Sequence, residues 1–378
     1  MDLLTVRNEI DAIDDQIIGL FKQRLELSEK ISKVKASQGL PVLNATRERE
    51  IISRLTKEQN DIMAGYTKIL FETIFNISRT HQTVLLNNIS KISTKIKDSL
   101  ANTPQLFPKN ATVACQGTEG ANSTFACEKL FSRPSIMYFN SFDGVFSAVE
   151  KGLCNYGILP IENSLHGSVT STYDLMKKYN FYIVRSVKMK VNHALLAKPD
   201  VKLSDIKIIY SHEQALAQCS DFLKGLNVTI EPCENTAIAA KMVANSDRSD
   251  VASLSTINCA ELYNLTVLSD KVQNSENNYT KFICISKKLE IYPGAKRISL
   301  MMSVTHQPGA LYHLMTKFST IGINLTKLES RPMPDKDFEF MFYFDLDVSV
   351  YDEAVFRLFA QLESGAEKFE FLGCYSEV

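Results

Sequence analysis

Arg24 occupies a position that its helical seam would otherwise give to leucine or isoleucine, and a guanidinium in a helical core is costly unless an anion meets it. Lys35 lies eleven residues further on, about three turns and so on the same face, and Arg47 opens the next helical stretch. Ser78 and Gln82 stand at i, i+4 on a third helical stretch and can present two neutral hydrogen-bonding groups to the same interior. A core ion pair, with Arg24 or Arg47 answered by Glu48 or Glu50, is one account of these residues. The excess of cations and neutral donors over acids favours another, in which an anionic ligand supplies the missing charge.

A second constellation lies in 111–290, where small polar residues repeatedly follow short apolar runs. CQGTEGANSTFA (115–126) is a glycine-bearing strand-to-helix turn. YGILPI ends in Glu162-Asn163-Ser164 and then Gly167-Ser168. YSHEQALAQC (210–219) carries Gln214, CENTAIAAKM (233–242) carries Glu234, and NNYTKF (277–282) carries Thr280, Lys281 and Phe282. Open α/β sheets build ligand clefts at such strand ends. Taken one at a time, each turn reads equally as a helix cap.

The elements that must position these residues follow from periodicity. Leu3, Val6, Ile10, Ile13, Ile17, Leu20, Arg24, Leu27, Ile31 and Val34 recur at alternating spacings of three and four, the pattern of a long helix with a coiled-coil-like seam. A second helix begins near Arg47 and a third runs from about Ile62 to Leu86, so residues 1–90 form an all-helical domain. Three such helices bury little in one copy, and dimerisation would complete their core. Residues 91–110, rich in Asn, Ser and Lys and ending in prolines, read as a linker or a frayed helix tail. Residues 111–290 alternate short β runs with helices, which argues for an α/β domain. Residues 296–378 read strand, helix, strand, strand, helix, strand, the βαββαβ order of α+β ferredoxin-like folds.

Composition removes several classes of function. Forty-two basic and 43 acidic side chains leave a formal net charge of −1, so no global attraction to nucleic acid or to a membrane surface operates. Asp2, Glu9, Asp11, Asp14 and Asp15 deny the first stretch the apolar core of a signal peptide, which leads to the expectation of a cytoplasmic protein. Eight cysteines without a CxxC pair and six histidines without an HxxxH array give no metal signature and read as buried free thiols.

Two strings carry a resemblance. LLTVRNEIDAIDDQIIGLFKQRLELSEKISKVKASQGLPV followed by RERE resembles the all-helical chorismate mutases, and VFSAVEKGLCNYGILPIENSLHGSV, SHEQALAQC, ENTAIAA and NYTKF resemble prephenate dehydratase in order and spacing. PGALYHLMTKF (308–318) and INLTKLESRP (323–332) are similar to an ACT regulatory domain. Together they resemble the fused chorismate mutase–prephenate dehydratases of phenylalanine biosynthesis.

The resemblance implies a multidomain chain: a helical mutase over 1–90, a two-lobed dehydratase like periplasmic binding proteins over 111–290, and an ACT module over 296–378. It implies that Arg7, Arg24, Lys35, Asn44, Arg47, Glu48, Ser78 and Gln82 bind chorismate, with Lys35 and Gln82 on the ether oxygen. Arg7 and Arg24 are 17 residues apart, roughly 25 Å along one helix and about 260° around it, so one chain cannot bring both to one pocket. That agrees with the family's intertwined dimer, in which each pocket borrows one arginine. For prephenate it implies Glu162, Asn163, Ser164, Gln214, Glu234, Thr280, Lys281 and Phe282, with Thr280, Glu162 and Asn163 in catalytic roles. For phenylalanine as effector it implies Gly309, Ala310, Leu311, Glu329, Ser330 and Arg331. Neither reaction requires a metal or organic cofactor. Asn44 stands where many members have Asp, Glu213 replaces Pro, and Lys281 replaces an Arg whose bidentate geometry lysine cannot reproduce. Two other readings fit the same elements: a non-enzymatic phenylalanine sensor, and a dehydratase of arogenate.

Overall fold

The computed structural model of the chain describes residues 2–85, 90–304, 309–333, 339–365 and 368–378. Leu86, read above as the end of the third helix, and Pro308 of the PGALYHLMTKF motif lie outside the described residues. Two compact units emerge, one of Met1–Lys95, Met302–Asn324 and Tyr351–Phe369, the other of Ile96–Met301, Leu325–Val350 and Glu370–Val378.

The first unit begins with three helices, α1 (Leu3–Ser37), α2 (Ala45–Thr56) and α3 (Asp61–Leu85). Asn44 caps α2 by accepting from the Arg47 backbone N–H at 3.0 Å. The only side chains buried on α1 are Ser28 and Ser32. Its apolar seam faces outward instead, with Leu3, Ile10, Ile13, Ile17, Leu20, Leu27, Ile31 and Val34 all exposed.

Lys91–Asn102 is a helix, α4, where the sequence suggested a linker or a frayed tail. Its cause is specific. The Glu363 carboxylate accepts from the Lys91 and Ile92 backbone N–H groups at 3.1 and 3.0 Å, and Ser90 Oγ accepts from Ser93 N at 2.9 Å, so the first turn is capped twice. Ile96 is then fully buried. Composition alone could not reveal a cap supplied by a residue so distant in sequence.

The second unit carries two sheets. In chain order its elements are β1 (Asn110–Gln116), α5 (Asn122–Leu130), β2 (Arg133–Phe139), α6 (Phe142–Glu150), β3 (Tyr156–Asn163), β4 (Gly167–Ser168), α7 (Thr170–Lys178) and β5 (Tyr182–Lys190). Then come β6 (His193–Ala197), β7 (Ile208–Ser211), α8 (Glu213–Gln218), α9 (Ser220–Lys224), β8 (Thr229–Pro232), α10 (Thr236–Asn245), β9 (Val251–Thr256), α11 (Cys259–Leu262), β10 (Thr266–Ser269) and β11 (Tyr279–Ser286). A five-stranded sheet runs β10-β6-β9-β7-β8, and the chain leaves the larger sheet after β5 and rejoins it at β11. Two sheets linked by two crossings match the two lobes expected from the sequence.

The remaining elements are β12 (Arg297–Ser303), α12 (Ala310–Thr320), β13 (Asn324–Pro332), β14 (Phe340–Asp347), α13 (Glu353–Gly365) and β15 (Phe369–Glu377), in the βαββαβ order read from the sequence. Their strands run β13-β14-β12-β15 and continue through β15 into β5-β11-β3-β1-β2, one ten-stranded sheet that also includes β4. β15 meets β5 in parallel, Ser376 opposite Arg185 and Glu377 opposite Ser186. Gly373 permits that approach: at φ +145° a Cβ there would lie 2.2 Å from the Ile183 carbonyl oxygen. Ile183, Met301, Met341, Tyr343 and Tyr375 share one core cluster, so the two halves of the sheet are packed as one.

Among the described residues no helix is long and apolar enough to cross a membrane, and no group of three or more His, Cys, Asp or Glu could hold a metal ion. All eight cysteines are free, and only Cys233 is not buried.

Candidate active sites

The helical site is built on one face of α1. Arg24, Ser28, Ser32 and Lys35 follow one another at spacings of three and four, and the first two meet α3. Arg24 donates to Ser78 Oγ and lies 5.4 Å from the Phe75 ring centre. Gln82 Nε2 donates to Ser28 Oγ at 2.5 Å. Two buried oxygens, Gln82 Oε1 and Ser32 Oγ, have no hydrogen-bond partner. Unmet buried polar atoms are costly, and here they lie beside a half-buried guanidinium, so this face combines a cation with hydrogen-bonding groups. Burial pushes the Arg24 guanidinium below its ordinary value, and the charge of Glu48 opposes that shift.

The other expected residues divide. Glu48 pairs with Arg79 on α3. Lys35 Nζ donates to the Val42 carbonyl at 2.5 Å, and Asn44 is spent on the α2 cap. Arg47 does not enter this interior in the single chain: it pairs with Glu50 at 3.1 Å with 65% of its side chain exposed. The alternative of a core ion pair is therefore realised only at the surface for Arg47. Arg7 is exposed on α1 and separated from Arg24 by the helix rise. Ser28, Ser32 and Arg79 were not singled out from the sequence; the i+4 and i+8 spacing from Arg24 was the signal available for the two serines.

The second site is a cavity of about 330 Å³ in the α/β unit. Asn163, Gln214, Glu234, Thr280 and Phe282 line it together. Four helices of nine or ten residues begin on its wall: α5 at Ala121-Asn122-Ser123, α6 at Phe142, α7 after Val169, and α10 at Asn235-Thr236. Glu234 carries the one formal charge among the described lining residues if the histidines are neutral, and no Lys or Arg is among them. A helix N-terminus presents backbone N–H groups and the positive end of the helix dipole, so such a wall can meet a carboxylate without a guanidinium.

A hydrogen-bond chain fixes the orientation of the groups on one wall. Asn163 Oδ1 accepts from the Leu165 and His166 backbone N–H groups at 3.0 and 3.1 Å, so its Nδ2 is the donor to Asn278 Oδ1 at 2.9 Å and to Thr280 Oγ1 at 3.0 Å. Asn278 Nδ2 donates to Gln218 Oε1 at 2.9 Å, and that oxygen also receives His193 Nε2 at 3.1 Å. Because Thr280 Oγ1 accepts from Asn163, its own O–H remains available to donate into the cavity. His193 is 4% exposed, and burial pushes its pKa down to about 4, so the imidazole is neutral at pH 7. The sequence reading did not single out His193, Gln218 or Asn278, although Gln218 lies within SHEQALAQC and Asn278 within NNYTKF; their roles come from contacts between segments.

Three expected prephenate residues are placed elsewhere, and each corrects the sequence reading. Lys281 is the cross-strand partner of Glu162, and neither is among the cavity-lining residues. Lys281 Nζ lies 3.2 Å from Asp345 and 3.6 Å from Glu377, with 11% of its side chain exposed. Strand alternation accounts for this, since Thr280 and Phe282 on either side take the cavity face. For Glu162 the cause is a bulge. Between the pairs Thr280–Asn163 and Phe282–Pro160, β11 advances two residues and β3 three, so Ile161 and Glu162 share one step and Asn163 is re-aimed to the cavity. Glu162 pairs with Lys327 at 2.8 Å instead. Ser164 braces the neighbouring loop, donating to the Asn277 carbonyl at 2.6 Å and accepting from Tyr279 N at 2.9 Å.

Of the residues expected to hold an effector, Gly309 has φ +82° and precedes α12, whose first residues are Ala310 and Leu311. Separately, on β13, Glu329 accepts from Ser168 and Arg331 is paired with Asp174, while Ser330 is exposed.

Comparison with known proteins follows the same division of the chain. The chorismate mutase type II family model matches residues 6–83, and the prephenate dehydratase family model matches 113–290. Arogenate dehydratase/prephenate dehydratase 2, chloroplastic, of Arabidopsis thaliana is 36% identical over 275 residues, which cover 70% of this chain and 72% of the relative. The bifunctional chorismate mutase/prephenate dehydratase of Escherichia coli (strain K12) is 29% identical over 385 residues, covering 99% of this chain and 96% of the relative. Among solved structures, the prephenate dehydratase of Arthrobacter aurescens in complex with L-Phe superposes with a TM-score of 0.64 at 27% identity, over 70% of this chain and 89% of that one.

Proposed function

The chain belongs to the bifunctional chorismate mutase/prephenate dehydratase family, and from that premise we propose how its two sites divide the chemistry. The chain converts chorismate to prephenate and prephenate to phenylpyruvate. The observation that carries the second step is the Asn163–Thr280 pair on a cavity walled by helix N-termini.

At the helical site the rearrangement is pericyclic and needs no acid, base or covalent intermediate, so confinement and electrostatics supply the catalysis. Arg24 takes one carboxylate, and Gln82 and Lys35 meet the ether oxygen as charge develops on it. The exposed apolar seam of α1 supports a homodimer in which the partner's Arg7 completes the pocket. Arg47 would leave Glu50 to join it, and Glu48 with Asn44 would approach the ring hydroxyl. Ser78 and Ser28 hold Arg24 and Gln82 in place.

At the cavity, prephenate places its carboxylates on the N-termini of α5, α7 and α10, with Gln214 and Glu234 on the same wall. Thr280 donates to the departing ring hydroxyl, which leaves as water once one proton has been taken up. Carbon dioxide departs as the ring becomes aromatic, so the protein must assist only the leaving group. Asn163 orients Thr280 by donating to its oxygen, and Phe282 packs beside it.

The C-terminal βαββαβ module acts as an ACT domain that binds L-phenylalanine and lowers dehydratase activity. The relative solved with L-Phe supports this, as do the Gly309-Ala310-Leu311 turn and the Glu329-Ser330-Arg331 strand. The test is to incubate the full chain with chorismate and follow prephenate and phenylpyruvate separately, with and without phenylalanine. Both products should form, with sigmoidal loss of phenylpyruvate alone. Absence of either product would reject the corresponding site, and a flat response to millimolar phenylalanine would reject the regulatory reading.

A further inference from the structure

The β3 wall of the dehydratase cavity is gripped from outside its own domain. β13 alternates exposed and half-buried positions, and its half-buried row includes Lys327, Glu329 and Arg331. Lys327 Nζ lies 2.8 Å from Glu162 Oε1 and donates to Ser168 Oγ at 2.9 Å. Ser168 Oγ donates to Glu329 Oε2 at 2.6 Å. Arg331 completes the row with two bonds to Asp174, 3.1 Å from Nε and 2.9 Å from Nη2.

All three receiving residues belong to one short stretch, 162–174, and that stretch carries the catalytic wall. Asn163, whose amide orients Thr280, is the next residue after Glu162, and Val169, next to Ser168, lines the cavity and precedes α7. The Lys327 side chain is only 12% exposed and lies 5.5 Å from the Tyr173 ring centre, so its ammonium is partly desolvated and closely directed. Charge-assisted bonds in such surroundings hold geometry more tightly than exposed ones. The grip falls where β3 bulges. A strand with an extra residue at 161–162 has a locally disrupted ladder, and the turn after it is closed by the two-residue β3–β4 pairing, Glu162 opposite Ser168 and Asn163 opposite Gly167, to which the Lys327 contacts add.

We infer that Lys327 is a positioning residue for the dehydratase reaction, supplied by the C-terminal module and acting through Glu162 and Ser168 on the Asn163–Thr280 pair. The inference rests on the dehydratase reading above and deepens its regulation. Glu329 and Arg331 are already engaged by Ser168 and Asp174. An amino-acid effector that drew the two side chains to its own ammonium and carboxylate would release the 162–174 stretch, and this differential contact is what allows a ligand to shift activity.

The experiment compares the parent full chain with Lys327→Met and Lys327→Arg. Dehydratase kcat should fall at least fivefold in Lys327→Met, with KM for prephenate within twofold of the parent, and Lys327→Arg should restore more than half of the loss. Hydrogen exchange of the 161–170 backbone, read by mass spectrometry in the same proteins, should quicken at least tenfold in Lys327→Met and in the parent saturated with phenylalanine. Parent-like kcat and exchange in Lys327→Met would overturn the inference, and so would an equal loss in Lys327→Arg, which marks mere packing. Exchange is independent of turnover: a parent chain that makes no phenylpyruvate would overturn the dehydratase reading, while unchanged exchange in Lys327→Met would overturn the grip itself.

Discussion

His193 gives the central domain a built-in acid sensitivity whose size can be worked from its surroundings. The imidazole is 4% exposed, and burial lowers its pKa from 6.5 to about 4, with Gln218 only partly opposing. The folded pKa lies below the unfolded one, so between those values the unfolded chain binds the proton and the native chain does not. The associated stability is therefore complete above about pH 6.5 and is lost as pH falls toward 4. The gap between the two values corresponds to about 3 kcal/mol, of which about 2 kcal/mol is gone by pH 5. Substituting a neutral residue that does not titrate, His193→Gln, removes this dependence whatever it does to stability at neutral pH. Urea unfolding followed by circular dichroism at pH 7.5 and pH 5 measures the difference, and comparing two chains that differ at one residue cancels the remaining titrations. The parent should lose about 2 kcal/mol more than the variant on acidification. Parallel losses in the two proteins, within about 0.5 kcal/mol, would refute the assignment of a buried neutral imidazole.

Thr280→Val should lower dehydratase kcat by at least ~100-fold through loss of the directed hydroxyl, with prephenate formation from chorismate unchanged, as separate assays of the two steps would record. Arg24→Ala or Lys35→Ala should lower mutase kcat/KM by ~100-fold and leave prephenate turnover intact; near-normal mutase activity in either would remove that residue from the pocket. Lys281→Met should leave the KM for prephenate within ~2-fold of the parent while costing about 1 kcal/mol or more of stability, because Asp345 and Glu377 lose their shared ammonium and keep Ser299 and Arg297 as partners. A large rise in KM with unchanged stability would return Lys281 to the substrate site.

What the sequence determined was everything set by local period and residue type. The three-four spacing of Leu3 to Val34 specified α1, strict strand runs specified most of the sheet, and the polar turns contributed the residues at 163, 214, 234 and 280 that line one cavity. Tertiary structure decided which way individual groups face. One extra residue at Ile161–Glu162 turned Glu162 out of the cavity and Asn163 into it, because a bulge changes strand parity without any distinctive residue type. Lys281 followed the alternation of β11 to partners on β14 and β15, strands more than 60 residues later, so nothing near it in the chain announced them. The same holds for α4, whose cap comes from Glu363, and for the cavity wall, which gathers the starts of α5, α6, α7 and α10 from separate parts of the chain. Side-chain chemistry and period are local properties of the sequence, whereas facing, capping and convergence depend on contacts made between residues far apart in the chain.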